Sequence, residues 1–348
     1  MAKAILLLSG GLDSVLAGAL LKSIGVELEG FYFSNLFSQS ESVPAGCSAA
    51  EISARQLGIG LHIVECGQDY LDLVKKPQFG YGSAVNPCID CRIHVFRLAR
   101  EYMAECNADF LASGEVLGER PMSQHRRAMD IIETESGLND ILLRPLSARL
   151  LPPTRPEREG LVDRDKLKDF QGRRRMPQFE LAEELGITNY QTPGGGCLLT
   201  ETEFAVRFHD LLNHNPEFGI EDARLLRYGR HFRLPSGTKI VVGRDRAECV
   251  YLERTTFDDA VVLVPSGTTG PTVLCRNVED AGDIKIAAGI MAAYTKGGKR
   301  INVEVKSTQG DDVPCIYKDV EPFDRAVSDT WKIGTGKPFS GTARETAN

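Results

Sequence analysis

The sequence predicts an α/β domain on a parallel sheet over residues 1–200, then a smaller α+β domain over residues 222–348, with residues 201–221 as a linker helix. Three observations predict it. Short apolar runs alternate with helix-period stretches through the first part, the signature of strand–helix units whose strands run parallel. The first such run, Ala4-Ile5-Leu6-Leu7-Leu8, ends in Ser9-Gly10-Gly11 and leads into the helical pattern from Leu12 to Leu21. After about residue 220 strand follows strand with turns between, and one long helical stretch interrupts them.

The elements follow in order. Glu27 to Phe33 reads as the second strand, and Cys47 to Leu57 as a helix stopped by Gly58. Leu61 to Val64 is a third strand. Tyr81 to Pro87 is a loop, and Cys88 to Tyr102 has helical spacing. Asp109 to Glu115 is a fourth strand, Val116 to Gln124 a loop, and Asp140 to Leu146 a fifth strand. Leu150 to Gly160, rich in proline and charge, is expected on the surface. Lys166 to Phe170 and Gln178 to Leu185 read as short helices, and Thr192 to Cys197 as a flexible turn. Glu203 to Leu212 is helical. Beyond it Thr238–Gly243, Ala260–Val264, Thr272–Cys275 and Ile301–Val305 are strands, and Ala281–Thr295 is a helix. The polar tail from Val327 is expected to be loosely ordered.

The Gly-Gly turn carries the first chemical reading. It bends the backbone at a strand end and leaves amide groups bare at a helix start. Those amides and the helix dipole attract an anion. Ser9 and Ser14 add hydroxyls, and Asp13 sets a carboxylate where a magnesium ion would bridge to phosphate. In parallel sheets ligands sit beyond the strand carboxyl ends, so Phe33 and Ser34 are expected on the same rim. A Walker loop is excluded. At Gly334-Thr335-Gly336-Lys337, Pro338 stands where Ser or Thr is needed, and Trp331 where the first glycine is.

The full Ser9-Gly10-Gly11-Leu12-Asp13-Ser14 resembles the PP-loop of the ATP pyrophosphatase superfamily, whose domains have the adenine nucleotide alpha hydrolase fold. The resemblance implies that ATP is split to AMP and pyrophosphate. It puts Ser9, Gly10, Gly11, Asp13, Ser14, Phe33, Ser34 and Gly114 at the ATP, with Mg2+ at Asp13.

Cysteine supplies the second reading. Cys88-x-x-Cys91 on its own reads as a redox pair, as half a zinc site with His94, or as two buried thiols at a helix start. No second such pair exists, which argues against a four-cysteine zinc ribbon. Cys197 follows Pro193-Gly194-Gly195-Gly196, and glycines strip bulk away so that something large can approach the sulfur.

Asn86-Pro87-Cys88 and Gly194 to Phe204 resemble the two cysteine segments of bacterial tRNA 2-thiouridylases. Ser113-Gly114-Glu115 with Gly118 and Ser123-Gln124 resembles tRNA 4-thiouridine synthetase, as does Arg144-Pro145-Leu146 followed, after a long insertion, by Asp163 to Lys166. This implies Ser123, Gln124 and Arg144 in the substrate pocket, tRNA as partner, and a sulfur donor such as a cysteine desulfurase or free sulfide. Cys-x-x-Cys plus a distant third cysteine resembles the iron–sulfur branch of the thiolases. There Cys88, Cys91 and Cys197 would hold a [4Fe-4S] cluster with one iron open to sulfide. The competing reading is a persulfide on Cys197 resolved by Cys88 or Cys91. Leu225-x-x-Tyr228-Gly229-Arg230-His231-Phe232 and Val241 to Arg244 resemble the RNA-binding domain of the NFACT family.

The expected function is thus ATP-dependent thiolation of a tRNA uridine, with Asp13, Cys88, Cys91 and Cys197 catalytic. Thiolation of a small molecule or cofactor shares every one of these residues. An amide-forming ligase of the superfamily gives the three cysteines no role, and a non-catalytic RNA binder gives the intact loop none. A net charge of −7 argues against a general nucleic-acid binder but leaves local basic clusters open. His125-Arg126-Arg127 and Arg173-Arg174-Arg175 are such clusters, expected on solvated faces. Five apolar residues before Ser9 make too short a core for an export signal, and no run reaches the roughly 18 apolar residues of a membrane span. Nine cysteines without an export signal then point to a reducing cytoplasm.

Overall fold

The computed structural model describes residues 1–38, 47–190, 196–307 and 315–334, and divides into two units, Met1–Thr200 and Glu201–Asn348. In the first unit β1 (Lys3–Leu7), α1 (Leu12–Ser23), β2 (Glu27–Ser34), α2 (Ala49–Leu57), β3 (Leu61–Glu65), α3 (Gln68–Lys75), α4 (Cys88–Glu105), β4 (Phe110–Ser113), α5 (Arg126–Ser136) and β5 (Leu142–Leu143) follow one another. The five strands pair in parallel in the order β3-β2-β1-β4-β5. β1 lies at the centre and is buried on both faces. Its Ala4 and Leu6 point to α1, and its Ile5 and Leu7 to α4 and α5, as a period of two requires.

Local signals explain the boundaries. Ser48 caps α2 and forms a capping box with Glu51, so the helix begins at Ala49 rather than at Cys47. Gly137, at φ 67°, ends α5. β5 is shorter than expected because Arg144 turns into a buried ion pair and Pro145 has no N–H for the ladder. The expected helix at Lys166–Phe170 is absent. A short 3₁₀ turn at Arg164–Lys166 leads to backbone bonds from Lys168 to Pro145 and from Phe170 to Leu146, so tertiary pairing overrides local preference. The excursion from Leu150 to Gly160 holds the one-turn helix α6 (Arg155–Arg158), and α7 (Met176–Glu184) packs on the α1 side of the sheet. Of the turn expected at Thr192 to Cys197, residues 192–195 lie outside the described residues.

The second unit starts with α8 (Thr202–His214) and α9 (Ile220–Leu225). Then come β6 (Arg230–Arg233), β7 (Lys239–Val242), α10 (Arg246–Arg254), β8 (Val261–Ser266), β9 (Val273–Arg276), α11 (Ala281–Tyr294), β10 (Ile301–Ser307), β11 (Cys315–Val320), α12 (Arg325–Ser328) and β12 (Lys332–Ile333). Its sheet is antiparallel throughout, in the order β11-β10-β8-β9-β7-β6-β12. α11 lies buried against one face, with Ala287, Ala288 and Met291 fully covered, while Leu225 and Leu252 cover the other. The expected loose tail is corrected for residues 327–334, where a helical turn leads into a strand paired with β6. Among the described residues no helix is long and apolar enough to cross a membrane.

Candidate active site

The strand order reverses at β1, where the connections of β2 and β4 leave in opposite directions, and such a switch point opens a crevice at the strand carboxyl ends. A cleft of about 320 Å³ occupies it. Its floor is the Ser9–Ser14 loop. Gly10 adopts φ +81°, and a Cβ there would stand 2.5 Å from the Ala49 backbone, so no other residue fits. Gly114, after β4, is as constrained, because its Cβ would meet the Asp13 carbonyl at 2.5 Å. That close approach brings the β4 turn onto the loop. Gly11 caps α1 without a side-chain bond, so the first amides are left for a ligand. Ser14 Oγ donates to the Gly11 carbonyl (2.8 Å) and lies 3.2 Å from Ser9 Oγ.

One wall is charged. Arg175 Nη2 lies 3.4 Å from Asp13 Oδ2, and Arg175 Nε donates to Glu119 Oε1 at 3.1 Å. Each carboxylate still keeps one buried oxygen, Asp13 Oδ1 and Glu119 Oε2, without a hydrogen bond. Burial and the Glu119 charge push the Asp13 carboxyl up to about 6, against the pull of Arg175. Two such oxygens facing a phosphate loop fit a divalent cation.

The same cleft also carries sulfur. Cys91, in the first turn of α4, lines the cleft and accepts a hydrogen bond from the Tyr70 hydroxyl (3.3 Å), which itself accepts from Asn35 Nδ2 (3.0 Å). Burial pushes its thiol up, and the Tyr70 bond pulls it part of the way back. Cys197 reaches the same cleft because its segment returns along residues 36–38. Ser38 pairs with Cys197, and Leu198 N donates to the Phe37 carbonyl. Phe33 lines the cleft, its ring edge-on to Tyr70 and to His94.

The expected residues do not all arrive. Ser9, Gly11, Asp13, Ser14, Phe33, Gly114, Gln124, Cys91 and Cys197 border the cleft. Gly10, Ser34 and Ser123 are not among its lining residues. Neither is Arg144. Its guanidinium is buried between Glu115 (Nε to Oε2, 2.9 Å) and Glu133, and it borders a separate cavity beside α5. Cys88 is also off the lining, its Sγ accepting from Asn86 Nδ2 at 3.1 Å. Among the described residues no three His, Cys, Asp or Glu side chains are grouped to hold a metal ion. The Cys88 thiol nevertheless acts electrostatically on Cys91, and Cys91 and Cys197 both act on Tyr70, so the three thiols lie in one neighbourhood.

Sequence reasoning missed Arg175 and Glu119. Arg173-Arg174-Arg175 reads as a surface run, yet Arg175 turns inward. No local pattern carries that, since its partners lie 162 and 56 positions away. Neither α3 nor α5 is among the expected elements, although Tyr70, Leu71 and Val74, and Ala128, Met129 and Ile132, have helical spacing.

Residues 2–133 match the family model of the tRNA methyl transferase HUP domain, and residues 229–332 that of the NFACT protein RNA binding domain. The chain is 31% identical over 126 residues to the tRNA-specific 2-thiouridylase MnmA of Marinobacter nauticus, covering 33% of this chain and 32% of that one. It is 30% identical over 227 residues to MnmA of Shewanella amazonensis, covering 56% and 59%. The chain thus spans between about a third and three-fifths of these curated relatives' length. A solved 4-thiouridine synthetase–RNA complex with bound ATP is similar at 27% identity over 53% of this chain and 41% of its own, with a TM-score of 0.37. The first unit thus carries the HUP-domain match and is similar to tRNA-specific 2-thiouridylases, and the second unit carries the match to the NFACT RNA binding domain.

Proposed function

We propose that the protein uses ATP to thiolate a uridine of tRNA. One observation carries the reading: the phosphate-binding loop and two thiols, Cys91 and Cys197, border one cleft. The names of the curated relatives support uridine in tRNA as substrate, and the match of residues 229–332 supports a second RNA contact.

A uracil carbonyl oxygen is a poor leaving group, so it must first be activated. The oxygen attacks the α-phosphate of ATP and pyrophosphate departs, held by Ser9, Gly11 and Ser14, with Gly10 allowing the turn between them. Asp13, with Glu119 beside it, would hold magnesium, which when bound neutralises the pyrophosphate charge. Phe33 offers a ring face to the nucleoside, and Gln124 borders the same space. A persulfide on Cys197 then attacks the activated carbon, and AMP leaves with the oxygen. The Cys91 thiolate attacks the inner sulfur of the persulfide. Its S–S bond breaks, the electron pair stays on the sulfur now bound to uridine, and a Cys91–Cys197 disulfide forms. Hydrosulfide opening that disulfide restores persulfide on Cys197 and thiol on Cys91, so the cycle balances with sulfide as donor.

The test is a single turnover with tRNA, ATP and protein carrying a persulfide. The expected products are AMP, pyrophosphate, a thiolated uridine by mass spectrometry, and a Cys91–Cys197 disulfide. Cys197→Ser should release AMP without thiolation. AMP release without RNA thiolation by the unaltered protein would sink the reading. Iron and acid-labile sulfide retained after anaerobic purification, and required for turnover, would replace the relay by a cluster.

A further inference from the structure

Most described arginines of the first unit are engaged. In the first unit Arg92, Arg97, Arg126, Arg144, Arg149, Arg155, Arg158, Arg164 and Arg175 each meet a carboxylate. Arg55 donates to Cys47 Sγ and Arg100 to the Ser136 carbonyl. Among the described residues four arginine side chains of this unit make no such bond: Arg120, Arg127, Arg173 and Arg174. All four are exposed.

The four are not scattered. Arg120 borders the cleft, and Arg127 stands in the first turn of α5, just beyond Gln124, which also borders it. Arg173 and Arg174 precede Arg175, another cleft residue. The two stretches are far apart in sequence but tied together in space. Leu117 pairs with Gln171, Gly172 N donates to the Leu117 carbonyl (2.7 Å), and Arg175 holds Glu119. Glu119 is the only acid in residues 117–127, and it is buried; residues 171–179 contain none. Two basic clusters that each read as an ordinary solvated face therefore form one lip at the cleft mouth. Beside them Met176 (63% exposed) and Phe179 (39%) present apolar surface at the start of α7.

Arg120 acts on the Asp13 charge across the cleft edge, whereas the exposed guanidinium groups of Arg127, Arg173 and Arg174 meet no carboxylate. They keep their full charge for a polyanion. Together with an aromatic and a thioether on the same edge, they match the chemistry of a phosphate backbone carrying unstacked bases. We infer that this lip is a second RNA-docking surface, on the PP-loop unit itself, which grips the backbone flanking the target nucleoside as it enters the cleft. The inference rests on the tRNA reading above and adds which residues receive the RNA.

The test compares tRNA affinity across a salt series for the full chain and for the triple variant Arg127→Gln, Arg173→Gln, Arg174→Gln, with melting temperature as the check on folding. A control variant removes three exposed but paired arginines, Arg97→Gln, Arg155→Gln and Arg158→Gln. The triple variant should bind tRNA between about tenfold and a hundredfold more weakly near 0.15 M salt. Its plot of log affinity against log salt should be shallower by about 2 to 3, at roughly 0.7 to 0.9 for each phosphate no longer neutralised. The control should stay within about twofold, as expected of charges already paired at the surface. A folded triple variant that binds tRNA as the unaltered chain does overturns the lip and leaves the thiolation reading standing. An unaltered chain with no salt-dependent tRNA binding overturns that reading, and the lip with it.

Discussion

In the first unit Asp13 and Glu119 share Arg175, and each keeps a buried oxygen with no hydrogen bond. In the second unit Asp210, on α8, is as well covered, but both its oxygens are taken. Arg233 donates to Oδ1 at 3.2 Å and to Oδ2 at 2.8 Å, and Lys239 donates to Oδ2 at 2.5 Å. The electrostatics follow the geometry. Burial and a neighbouring carboxylate raise Asp13 to about 6. Burial also acts upward on Asp210, yet the Arg233 bonds and the Lys239 charge outweigh it and hold its carboxyl below the usual range. A closed set of buried charges serves the fold, whereas an open set beside a cleft is completed by a ligand. The two carboxylates should therefore answer oppositely to the same substitution.

The largest effect is expected at Asp210. Asp210→Asn leaves Lys239 and Arg233 buried without their counter-charge, and burial already pushes the Lys239 amine down to about 8. Breaking one partner of a buried pair costs about 3 to 5 kcal/mol. Denaturant unfolding of the second unit should show a loss of that size. A change below about 1 kcal/mol would mean the cluster is solvated, and the comparison would fail.

Asp13→Asn should do the reverse. The folded carboxyl titrates near 6, above its free value of about 3.9, so the folded state binds the proton more tightly than the unfolded one. The ionised carboxylate therefore penalises folding, fully above pH 6, and the penalty fades as pH falls through 6 towards 4. A neutral amide removes it. Asp13→Asn is expected to raise stability by about 2 kcal/mol at pH 8 and to make no difference at pH 4. On the proposed mechanism AMP formation should nevertheless fall by about a hundredfold or more, because a magnesium ion held there would lose its ligand. A variant that loses stability at pH 8, or still forms AMP at the original rate, contradicts the assignment.

How far this contrast could be read from the sequence depends on distance along the chain. Ser9 to Ser14 is legible because strand, turn and helix are contiguous, and the same holds for β2, α4 and α11. The second unit reads as α+β because its strands are short and turn-bounded. Arg175, Glu119 and the Asp210 cluster are not legible, because each depends on partners brought together only by the fold. Arg144 shows the opposite failure. Its motif marks a pocket residue, but its charge is absorbed by Glu115 and Glu133 beneath the rim. β12 escaped for a related reason. Two residues become a strand only because β6 offers an edge.

The smallest effect separates chemistry from stability on the sulfur wall. Tyr70 is buried, and its ring packs edge-on to Phe33 while its hydroxyl links Asn35 to the Cys91 thiol. Tyr70→Phe keeps the ring contacts and removes only that link, at a cost of about 1 kcal/mol. The Tyr70 bond lowers the Cys91 thiol against the upward push of burial, so without it the thiol should hold its proton to higher pH. Alkylation of Cys91, followed residue by residue in the mass spectrum, should slow at neutral pH and recover only at more alkaline pH, because the thiolate is the reacting form. A matched slowing of thiolation with unchanged AMP release would place Tyr70 as a positioning residue for sulfur transfer. If the Cys91 pH profile stays where it was, the hydroxyl is structural only, and the sulfur wall is tuned by burial alone.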